Sequence, residues 1–347
     1  MNIFERMWRS NFMIKLRHWE YWPFGVLQFP VAFYYLWLSL KARSFFFFTA
    51  SNPGIEMGGM LGESKFGILN KIPEAVKAKT VFVPRKTTVE EVLALMQQAH
   101  LHFPVIFKPD LGERGYRVKR IYSEADVSAY VQSFDFDFLI QELVDLPLEF
   151  GVFYQRLPSE KSGVVFSIVG KEMLTVAGDG RQTLQELILK KDRAKLQWEK
   201  LKHAHANRLE TIIPAGESVL LNPIGNHCLG TTFLNSNSLI SEELSASFDK
   251  ISKQIEGFYY GRFDLRCASL KDLATGNVKV LELNGCGAEP AHIYQPGYSF
   301  WKAVYEMLLH WQSIYRIAME NKQRGVRYLS FKEVKAYYNK FQLAVKP

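Results

Sequence analysis

Two short segments constrain the fold most strongly, because each alternates apolar residues with charged or polar ones. They are Gly261–Cys267 (GRFDLRC) and Val280–Gly285 (VLELNG). Side chains along a strand point alternately to opposite faces. One face therefore carries Arg262, Asp264 and Arg266 in the first segment, and Glu282 and Asn284 in the second. If the two strands pair, their carboxylate and amide oxygens meet, and these are the ligands that Mg²⁺ prefers. The alternative is a solvated outer face on which Arg–Asp pairs have little consequence.

A lysine at the end of an apolar segment gives a second signal. Lys108 closes FPVIFK and is followed by PDLGERG at 109–115. Such a lysine can hold phosphates, because its charge meets the anion while the glycines let backbone N–H groups approach. The P-loop pattern GxxxxGK[ST] is absent. The pattern thus indicates an anion site of another type.

The apolar segment FLIQELV at 138–144, followed by Glu149, gives a third signal. The exposed backbone at the end of such a strand can contact an adenine edge, and a later carboxylate can bind a ribose hydroxyl. Considered alone, the segment is by default an ordinary strand with surface glutamates.

In this order the segments resemble the ATP-grasp superfamily, over about residues 65–297. VIFKPDLGERG is similar to its phosphate-lysine strand and small glycine loop, IQELVDLPLEFGV to its adenine hinge and ribose glutamate, and FDLR with LELNG to its terminal metal motif. TVAGDGRQTLQELI (175–188) and IPAGESVLLNPIGNHCLGTTF (213–233) resemble the branch of D-alanine–D-alanine ligase and cyanophycin synthetase. The resemblance implies an α+β fold in which two α+β subdomains sandwich ATP.

The resemblance also implies roles for individual residues. Lys108 and Lys65 contact phosphates, with Lys71 as a competitor for the second position. The nucleotide is further bordered by Gly112, Arg114, Gly115, Glu142, Leu143, Val144 and Glu149. Two Mg²⁺ ions, or Mn²⁺ in their place, are held by Asp264, Glu282 and Asn284. Arg262 stabilises the charge of an acyl phosphate, so Arg262 and Lys108 are the expected catalytic residues. Arg156, Arg181 and Arg266 either contact substrate or phosphate or are structural.

The implied activity is ATP-dependent ligation of a carboxylate to an amine through an acyl phosphate, with ADP and phosphate as products. The alternatives are a carboxylate–thiol ligase, a phosphoryl-transfer enzyme, or a membrane-associated interaction protein without catalysis. After LELNG the chain continues CGAEPAHIYQPG, which departs from the dipeptide ligases and leaves the carboxylate and the amine open. His292 within this segment is near the predicted site only by chain position.

The N-terminal region is aromatic and basic. It holds 16 of the 49 Phe, Trp and Tyr residues in its first 50 positions and half of the net charge of +8, which is not a pattern of nucleic-acid binding. Tyr21–Leu40 lacks charges over 20 residues, a length that can span a bilayer, although Pro23 and Pro30 disturb a helix. Three interpretations remain: attachment to an anionic membrane surface with an amphiphilic or lipid-linked substrate, a buried part of an aromatic-rich domain, or a span.

The predicted organisation is an N-terminal region at 1–60, an ATP-grasp domain at 61–320 and a basic tail at 321–347. The segment at 41–52, with its run of four phenylalanines, is predicted to be a buried strand. Residues 190–210 are predicted to form one charged helix. Three cysteines without a CxxC pair, and no cleavable signal peptide, favour a cytoplasmic protein, with peripheral membrane attachment as a variant.

Overall fold

A computed structural model describes residues 7–8, 10–112 and 115–345. The helices are α1 (Asn11–Arg17), α2 (Phe24–Ala42), α3 (Lys65–Leu69), α4 (Val89–Gln98), α5 (Glu124–Ser133), α6 (Leu184–Lys190), α7 (Asp192–Lys195), α8 (Trp198–Ala204), α9 (Glu242–Lys253), α10 (Leu270–Thr275), α11 (Phe300–Gln323) and α12 (Phe331–Val345). The strands are β1 (Thr80–Val83), β2 (Val105–Pro109), β3 (Lys119–Ile121), β4 (Phe138–Glu142), β5 (Leu148–Gln155), β6 (Val164–Glu172), β7 (Leu174–Ala177), β8 (Ser218–Asn222), β9 (Thr232–Asn235), β10 (Tyr260–Cys267) and β11 (Lys279–Asn284). This mixture of helices and antiparallel sheets confirms the α+β prediction, with the aromatic N-terminal region in front of it.

A four-stranded antiparallel sheet forms the first layer, in the order β1-β4-β2-β3. Helices α4 and α5 provide its apolar core, in which Val92, Met96, Phe107 and Tyr130 are buried. Helix α4 begins at the predicted capping box: the Thr88 side chain accepts a hydrogen bond from the Glu91 N–H, and the Glu91 carboxylate accepts one from the Thr88 N–H.

A five-stranded antiparallel sheet forms the second layer, in the order β11-β10-β5-β6-β9. Its strands β5 and β6 pair antiparallel, as predicted for 149–156 and 164–169. The apolar side chains of β10, among them Phe263 and Leu265, are buried with Phe248 of α9. The opposite face of β10 is therefore left for its charged residues. Strands β7 and β8 form a separate two-stranded antiparallel sheet.

The two sheets meet along β11, the edge strand of the five-stranded sheet. The Ala78 N–H donates to the Val280 carbonyl oxygen at 2.9 Å, just before β1. The chain after β11 is held by the glycine-rich loop at 54–62, because the Cys286 N–H donates to the Gly58 carbonyl oxygen at 3.0 Å. A Cβ at Gly59, whose φ is +77°, would lie 2.5 Å from the Gly285 Cα, so this close approach requires glycine. The polar ends of β10 and β11 are thus fixed between the layers.

Helix α2 lies against the long helix α11. It buries Leu27, Val31, Leu38 and Ala42 on this side. It continues through Pro30, and none of the helices in the described ranges is long and apolar enough to cross a membrane. The predicted domain boundaries at 60 and 320 stay predictions.

The strand predicted at 41–52 is wrong. Helix α2 includes Lys41 and Ala42, Arg43 ends it with a φ of 52°, and Phe47–Ala50 forms a 3₁₀ turn. Phe47 is buried among aromatic rings rather than in a sheet, with its ring centroid 5.5 Å from that of Tyr35 and 5.8 Å from that of Tyr315. An apolar run fits a buried turn as well as a buried strand, and tertiary contacts decided between them.

The single helix predicted at 190–210 is also wrong. Lys191 is extended, with φ −86° and ψ 111°, and it separates α6 from α7, while α8 follows only at Trp198. The physical reason is Arg193, which is buried and donates to the Thr231 carbonyl oxygen at 3.1 Å and to the buried Glu20 carboxylate. A straight amphipathic helix would keep such a charge in water.

Candidate active site

Strands β10 and β11 bring the predicted polar residues together. Their antiparallel register places Asp264 opposite Glu282 and Arg262 opposite Asn284, with a bulge directly after Asp264. The Asn284 side-chain amide donates to Asp264 Oδ2 at 2.9 Å. The convergence predicted from alternation alone is thus present, and it lies between the layers rather than on an outer solvated face, since Asp264 is 6% exposed.

Asp264 is surrounded by cations. Arg262 Nη2 lies 3.1 Å from Asp264 Oδ2, and Lys171 Nζ lies 3.0 Å from Asp264 Oδ1. Burial raises the pKa of the Asp264 carboxyl, but Arg262 and Lys171 outweigh burial and lower the pKa to about 2. Asp264 is therefore ionised throughout the neutral range, as a metal ligand must be.

Lys171 was missed by the sequence reasoning, although it lies at the centre of the cluster. Its side chain is 7% exposed, and Nζ lies 3.2 Å from Glu149 Oε1 as well as 3.0 Å from Asp264. Burial lowers the pKa of Lys171, but the Asp264 and Glu149 carboxylates together raise it by more, so the pKa lies above its ordinary value. The sequence carries no direct signal for it: the pairing predicted for 149–156 and 164–169 had no register, and only the observed register, in which Phe150 pairs with Gly170, places Lys171 opposite Glu149.

Glu149 joins this cluster through both carboxylate oxygens. Besides Lys171, it accepts a hydrogen bond from Arg266 Nε at 2.9 Å. Arg266 also donates to the Val144 carbonyl oxygen at 3.2 Å, so one arginine connects the predicted ribose carboxylate with the predicted adenine hinge. Of the three arginines whose role was open, Arg266 is therefore in the site.

Lys108 reaches the same space from the four-stranded sheet. Its amino group is buried and donates to Gln141 Oε1 and to the Leu281 carbonyl oxygen, both at 3.0 Å. Burial lowers the pKa of Lys108 to about 8, an effect that Glu282 partly opposes. The lysine thus bridges the two layers at β11, with its charge close to that of Glu282.

Lys65 begins α3 beside the loop that follows β2. Its Nζ lies 3.7 Å from Glu282 Oε1 and donates to the Gly112 carbonyl oxygen. The helix start is fixed by Asp110, whose carboxylate accepts from Ser64 Oγ at 3.0 Å. Lys71, the competitor, lies on an exposed surface and donates to the Gly54 carbonyl oxygen. Lys65, and not Lys71, therefore contacts the cluster.

The remaining predicted nucleotide residues border this space less directly. Glu142 ends β4 and accepts a hydrogen bond from the Lys79 N–H at 2.8 Å, while Leu143 and Val144 continue beyond the strand. Gly112 and Gly115 both have positive φ, at 144° and 73°. Arg114, also predicted to contact the nucleotide, lies outside the described residues.

A loop between β8 and β9 covers the cluster from the other side. A Cβ at Gly225 would lie 2.1 Å from Glu149 Oε1, so only glycine allows this contact. A Cβ at Gly115, in the loop after β2, would lie 3.2 Å from Leu229 Cδ1 of the same β8–β9 loop. The two glycine-containing loops therefore contact each other, and the β8–β9 loop also contacts Glu149. The sequence of 213–233 indicates a family motif but gives no sign that Gly225 contacts the site.

Beyond Arg262 lies a second set of polar residues, on the segment after β11. Arg262 Nη1 donates to the Glu289 carbonyl oxygen at 3.1 Å, and the Glu289 carboxylate accepts from Gln28 of α2 and from Tyr294. His292, next to this set, is buried with Nδ1 2.7 Å from Ser167 Oγ, and burial lowers its pKa to about 4. The imidazole is therefore neutral at pH 7.

Two of the candidate arginines are not brought to the cluster. Arg156 lies over the Tyr259 ring at 4.6 Å, and Arg181 is in an exposed turn where its N–H donates to Asp179 Oδ1. A separate cavity of about 350 Å³, lined by Lys86 and by residues 130–136, contains none of the predicted site residues. In their described contacts neither arginine touches the cluster, and their roles stay open.

The donor set fits Mg²⁺ that is shared with a phosphate ligand. In the described ranges no group of three or more His, Cys, Asp and Glu side chains could hold a metal by itself. Asp264 and Glu282 supply two carboxylates, and the Asn284 amide, whose nitrogen contacts Asp264, has its oxygen to offer. Mg²⁺ commonly uses one or two carboxylates together with phosphate oxygens and water. Asp264, Glu282 and Asn284 would hold the ion here.

Comparison with known proteins gives structural neighbours only. No family model matches the chain, and no curated protein matches its sequence. Among solved structures, it is similar to a bifunctional glutathione synthetase from Pasteurella multocida (17% identity, TM-score 0.37), which covers 71% of this chain and of which 35% is covered. It is also similar to the VanG D-Ala:D-Ser ligase from Enterococcus faecalis (12% identity, TM-score 0.40), which covers 74% of this chain and of which 62% is covered. A third similar structure is the D-alanine–D-alanine ligase from Bacillus anthracis (13% identity, TM-score 0.41), which covers 76% of this chain and of which 67% is covered.

This chain thus spans about a third of the first of these proteins and about two thirds of the other two. At these identities and TM-scores we transfer no residue role from them. All three are named as ligases or synthetases.

Proposed function

We propose that this chain is an ATP-dependent carboxylate–amine ligase. The observation that carries the proposal is the cluster between the two sheets, where the cations Lys65, Lys108, Lys171 and Arg262 lie beside Asp264, Glu282 and Asn284. Several buried cations with a few carboxylate and amide oxygens suit one kind of ligand, a polyphosphate with a bound divalent ion.

The residues divide the work by position. Lys108 and Lys65, near Glu282, would hold phosphate oxygens. Glu149, beside Arg266, would accept a hydrogen bond from a ribose hydroxyl. Glu142, Leu143 and Val144 would border the adenine, with Gly112, Arg114 and Gly115 closing over the phosphates. Bound Mg²⁺ would neutralise charge on the phosphates. Two ions, with Mn²⁺ as a substitute, are part of the proposal.

The reaction would proceed in two displacements. A substrate carboxylate oxygen attacks the terminal phosphorus of ATP, and the bond from that phosphorus to its bridging oxygen breaks, releasing ADP. An amine nitrogen then attacks the acyl carbon, the carbon–oxygen bond to phosphate breaks, and the nitrogen loses a proton. Arg262 would stabilise the negative charge that develops on the acyl phosphate, and Lys171 would hold Asp264 and Glu149 in place between the steps.

The proposal includes the substrate's character and location. The exposed aromatic surface of α1 and α2 supports an amphiphilic or lipid-linked carboxylate or amine, handled at the cytoplasmic surface of an anionic membrane. No role in nucleic-acid binding is proposed.

The test is to incubate the full chain with ATP, Mg²⁺ and a metabolite extract that includes its lipid fraction, and to identify the new product by mass spectrometry. We expect ADP and phosphate in equal amounts, and a product that joins a carboxylate and an amine with loss of water. Release of AMP and pyrophosphate would contradict acyl-phosphate chemistry. A thioester product would instead identify a carboxylate–thiol ligase.

A further inference from the structure

Helices α1 and α2 expose an apolar face that nothing in the described chain covers. Thirteen of the 27 exposed large apolar residues that the structure describes lie between residues 7 and 45. The apolar face is defined by Phe29, Phe33, Trp37 and Leu40 of α2, and Phe12 and Leu16 of α1 are exposed as well. Phe29 is 68% exposed and Leu40 is 77% exposed. Contiguous apolar surface of this kind marks a protein–protein or membrane interaction site.

The face runs along α2 from Phe29 to Leu40. Phe29, Phe33, Trp37 and Leu40 follow one another at spacings of four, four and three residues, which places them on one line along the helix. The rings of Phe29 and Phe33 are 5.3 Å apart in an edge-to-face contact. The opposite side of the helix is buried against α11, so α2 is apolar on both sides. Its axis would lie parallel to whatever surface covers the face.

The charges around the face are all positive. Lys15, Arg17, Lys41 and Arg43 are exposed. Glu20 is the one acidic residue between positions 10 and 45, and it is buried against Arg193. Lys41 Nζ lies 4.4 Å from the centre of the Trp37 ring, at the edge of the face. Aromatic residues bordered by cations match an anionic lipid surface, in which rings enter the headgroup boundary and cations meet lipid charge.

We propose that this face docks on an anionic lipid bilayer, with α1 and α2 lying in the interface, and that the enzyme receives an amphiphilic substrate from that bilayer. The same helix connects the two sites: Gln28 of α2 donates to the Glu289 carboxylate, and the Glu289 carbonyl oxygen accepts from Arg262 at 3.1 Å. Helix α2 would thus lie between the bilayer and Arg262, the residue proposed to stabilise the acyl phosphate. The substrate part of this inference rests on the proposed function.

The experiment is sedimentation of the full chain with vesicles of phosphatidylcholine and phosphatidylserine, and with phosphatidylcholine alone. A triple variant, Phe29→Ser/Phe33→Ser/Trp37→Ser, changes exposed residues outside the site. The matched control, Tyr122→Ser/Leu220→Ser/Leu270→Ser, removes three exposed apolar side chains elsewhere. We expect at least about tenfold weaker binding of the triple variant to phosphatidylserine vesicles, because three inserted side chains are lost, and no change for the control. Salt should weaken binding only in part, since it screens the charges but not the inserted rings.

Brominated lipids should quench tryptophan fluorescence of the bound wild type, and this quenching should decrease in the triple variant. Docking is overturned if the wild-type chain stays in the supernatant with phosphatidylserine vesicles at low salt, or if the triple variant sediments as the wild type does. It is also overturned if the wild type self-associates through this face, seen in light scattering as a dimer that the triple variant loses.

Nucleotide binding separates this inference from the proposed function. Calorimetry without vesicles should give the triple variant the MgATP affinity of the wild type, because Phe29, Phe33 and Trp37 lie outside the cationic cluster. If the wild type binds vesicles but not MgATP, the proposed function and the substrate part fail while docking stands. If it binds MgATP but not vesicles, docking and the delivery of substrate from the bilayer fail, while the proposed ligase chemistry stands.

Discussion

At the scale of the residue, the site is defined by buried charges whose pKa values are set by different dominant causes. Burial dominates at Lys108, where it lowers the pKa to about 8, whereas Arg262 and Lys171 outweigh burial at Asp264 and lower its pKa to about 2. Keeping ammonium and guanidinium groups this deep is costly unless an anion joins them. Lys171 and Arg262 are already paired with Asp264, whereas Lys108 donates to the neutral Gln141 side chain and to a backbone carbonyl oxygen, so an anionic ligand would compensate the burial of Lys108 above all.

Lys108→Met tests this trade-off. It should weaken ATP binding, because a direct phosphate contact is lost, and it should stabilise the free protein at pH 7. Since the folded-state pKa of about 8 lies below the ordinary lysine pKa of 10.5, the unfolded chain holds more protons between these values. The stabilisation, up to about 3 kcal/mol, should thus be full below pH 8 and should fade as the pH rises towards 10.5.

The measurements are calorimetry with ATP and urea unfolding over this pH range. Lys200→Met, at an exposed lysine, is the matched control and should change neither quantity. An ATP affinity equal to that of the wild type in folded Lys108→Met would rule out the phosphate contact.

Residue-scale prediction succeeded where a local pattern carried the information. Alternation along two strands was enough to bring Asp264, Glu282 and Asn284 together. It did not find Lys171, because a lysine near the end of an apolar strand has no local sign of burial; only the register with β5 places it beside Glu149. Gln141, which accepts from Lys108, was missed because its partner lies on a neighbouring strand.

At the scale of the element, two glycine-containing loops set the shape of the site. Gly225→Ala should lower nucleotide affinity, because the added Cβ would lie 2.1 Å from Glu149 Oε1 and displace a carboxylate that Lys171 and Arg266 hold. We expect a loss of about tenfold in ATP affinity and a destabilisation of about 1–3 kcal/mol, the usual range for overpacking. Calorimetry and urea unfolding measure the two effects.

Gly25→Ala is the control, since a Cβ there meets nothing within 4 Å and an alanine in a helix is favourable. It should leave ATP affinity unchanged. If Gly225→Ala behaves like Gly25→Ala in both measurements, the β8–β9 loop does not constrain Glu149.

Elements with a clear local signature were predicted within a few residues, and those shaped by distant contacts were not. The capping box at Thr88 and the strand Lys279–Asn284 carry their own signals. The phenylalanine run at 45–48 and the charged segment at 190–210 do not, because their conformations depend on α11 and on the Glu20–Arg193 ion pair. The buried partner of Arg193 is Glu20, more than 170 positions away, and such a contact cannot be detected from local periodicity.

At the scale of the whole molecule, two antiparallel sheets meet at one strand, β11, and this junction holds the candidate site. Lys108 arrives from one sheet and Asp264 from the other, and Glu282 stands between them on β11. Neither sheet alone contains enough of the cluster to bind a polyphosphate. The proposed ATP site therefore depends on Glu282 more than on any other single residue.

The most direct test is ADP release by purified Glu282→Gln in the presence of ATP, Mg²⁺ and the product-forming extract. Losing one carboxylate ligand should reduce turnover by at least about 100-fold without unfolding the protein, because Mg²⁺ is no longer held against the phosphates. Glu172→Gln, at the exposed end of β6, should retain wild-type turnover, and circular dichroism should show both variants folded. Wild-type ADP release by folded Glu282→Gln would contradict the assignment of this cluster as the ATP site.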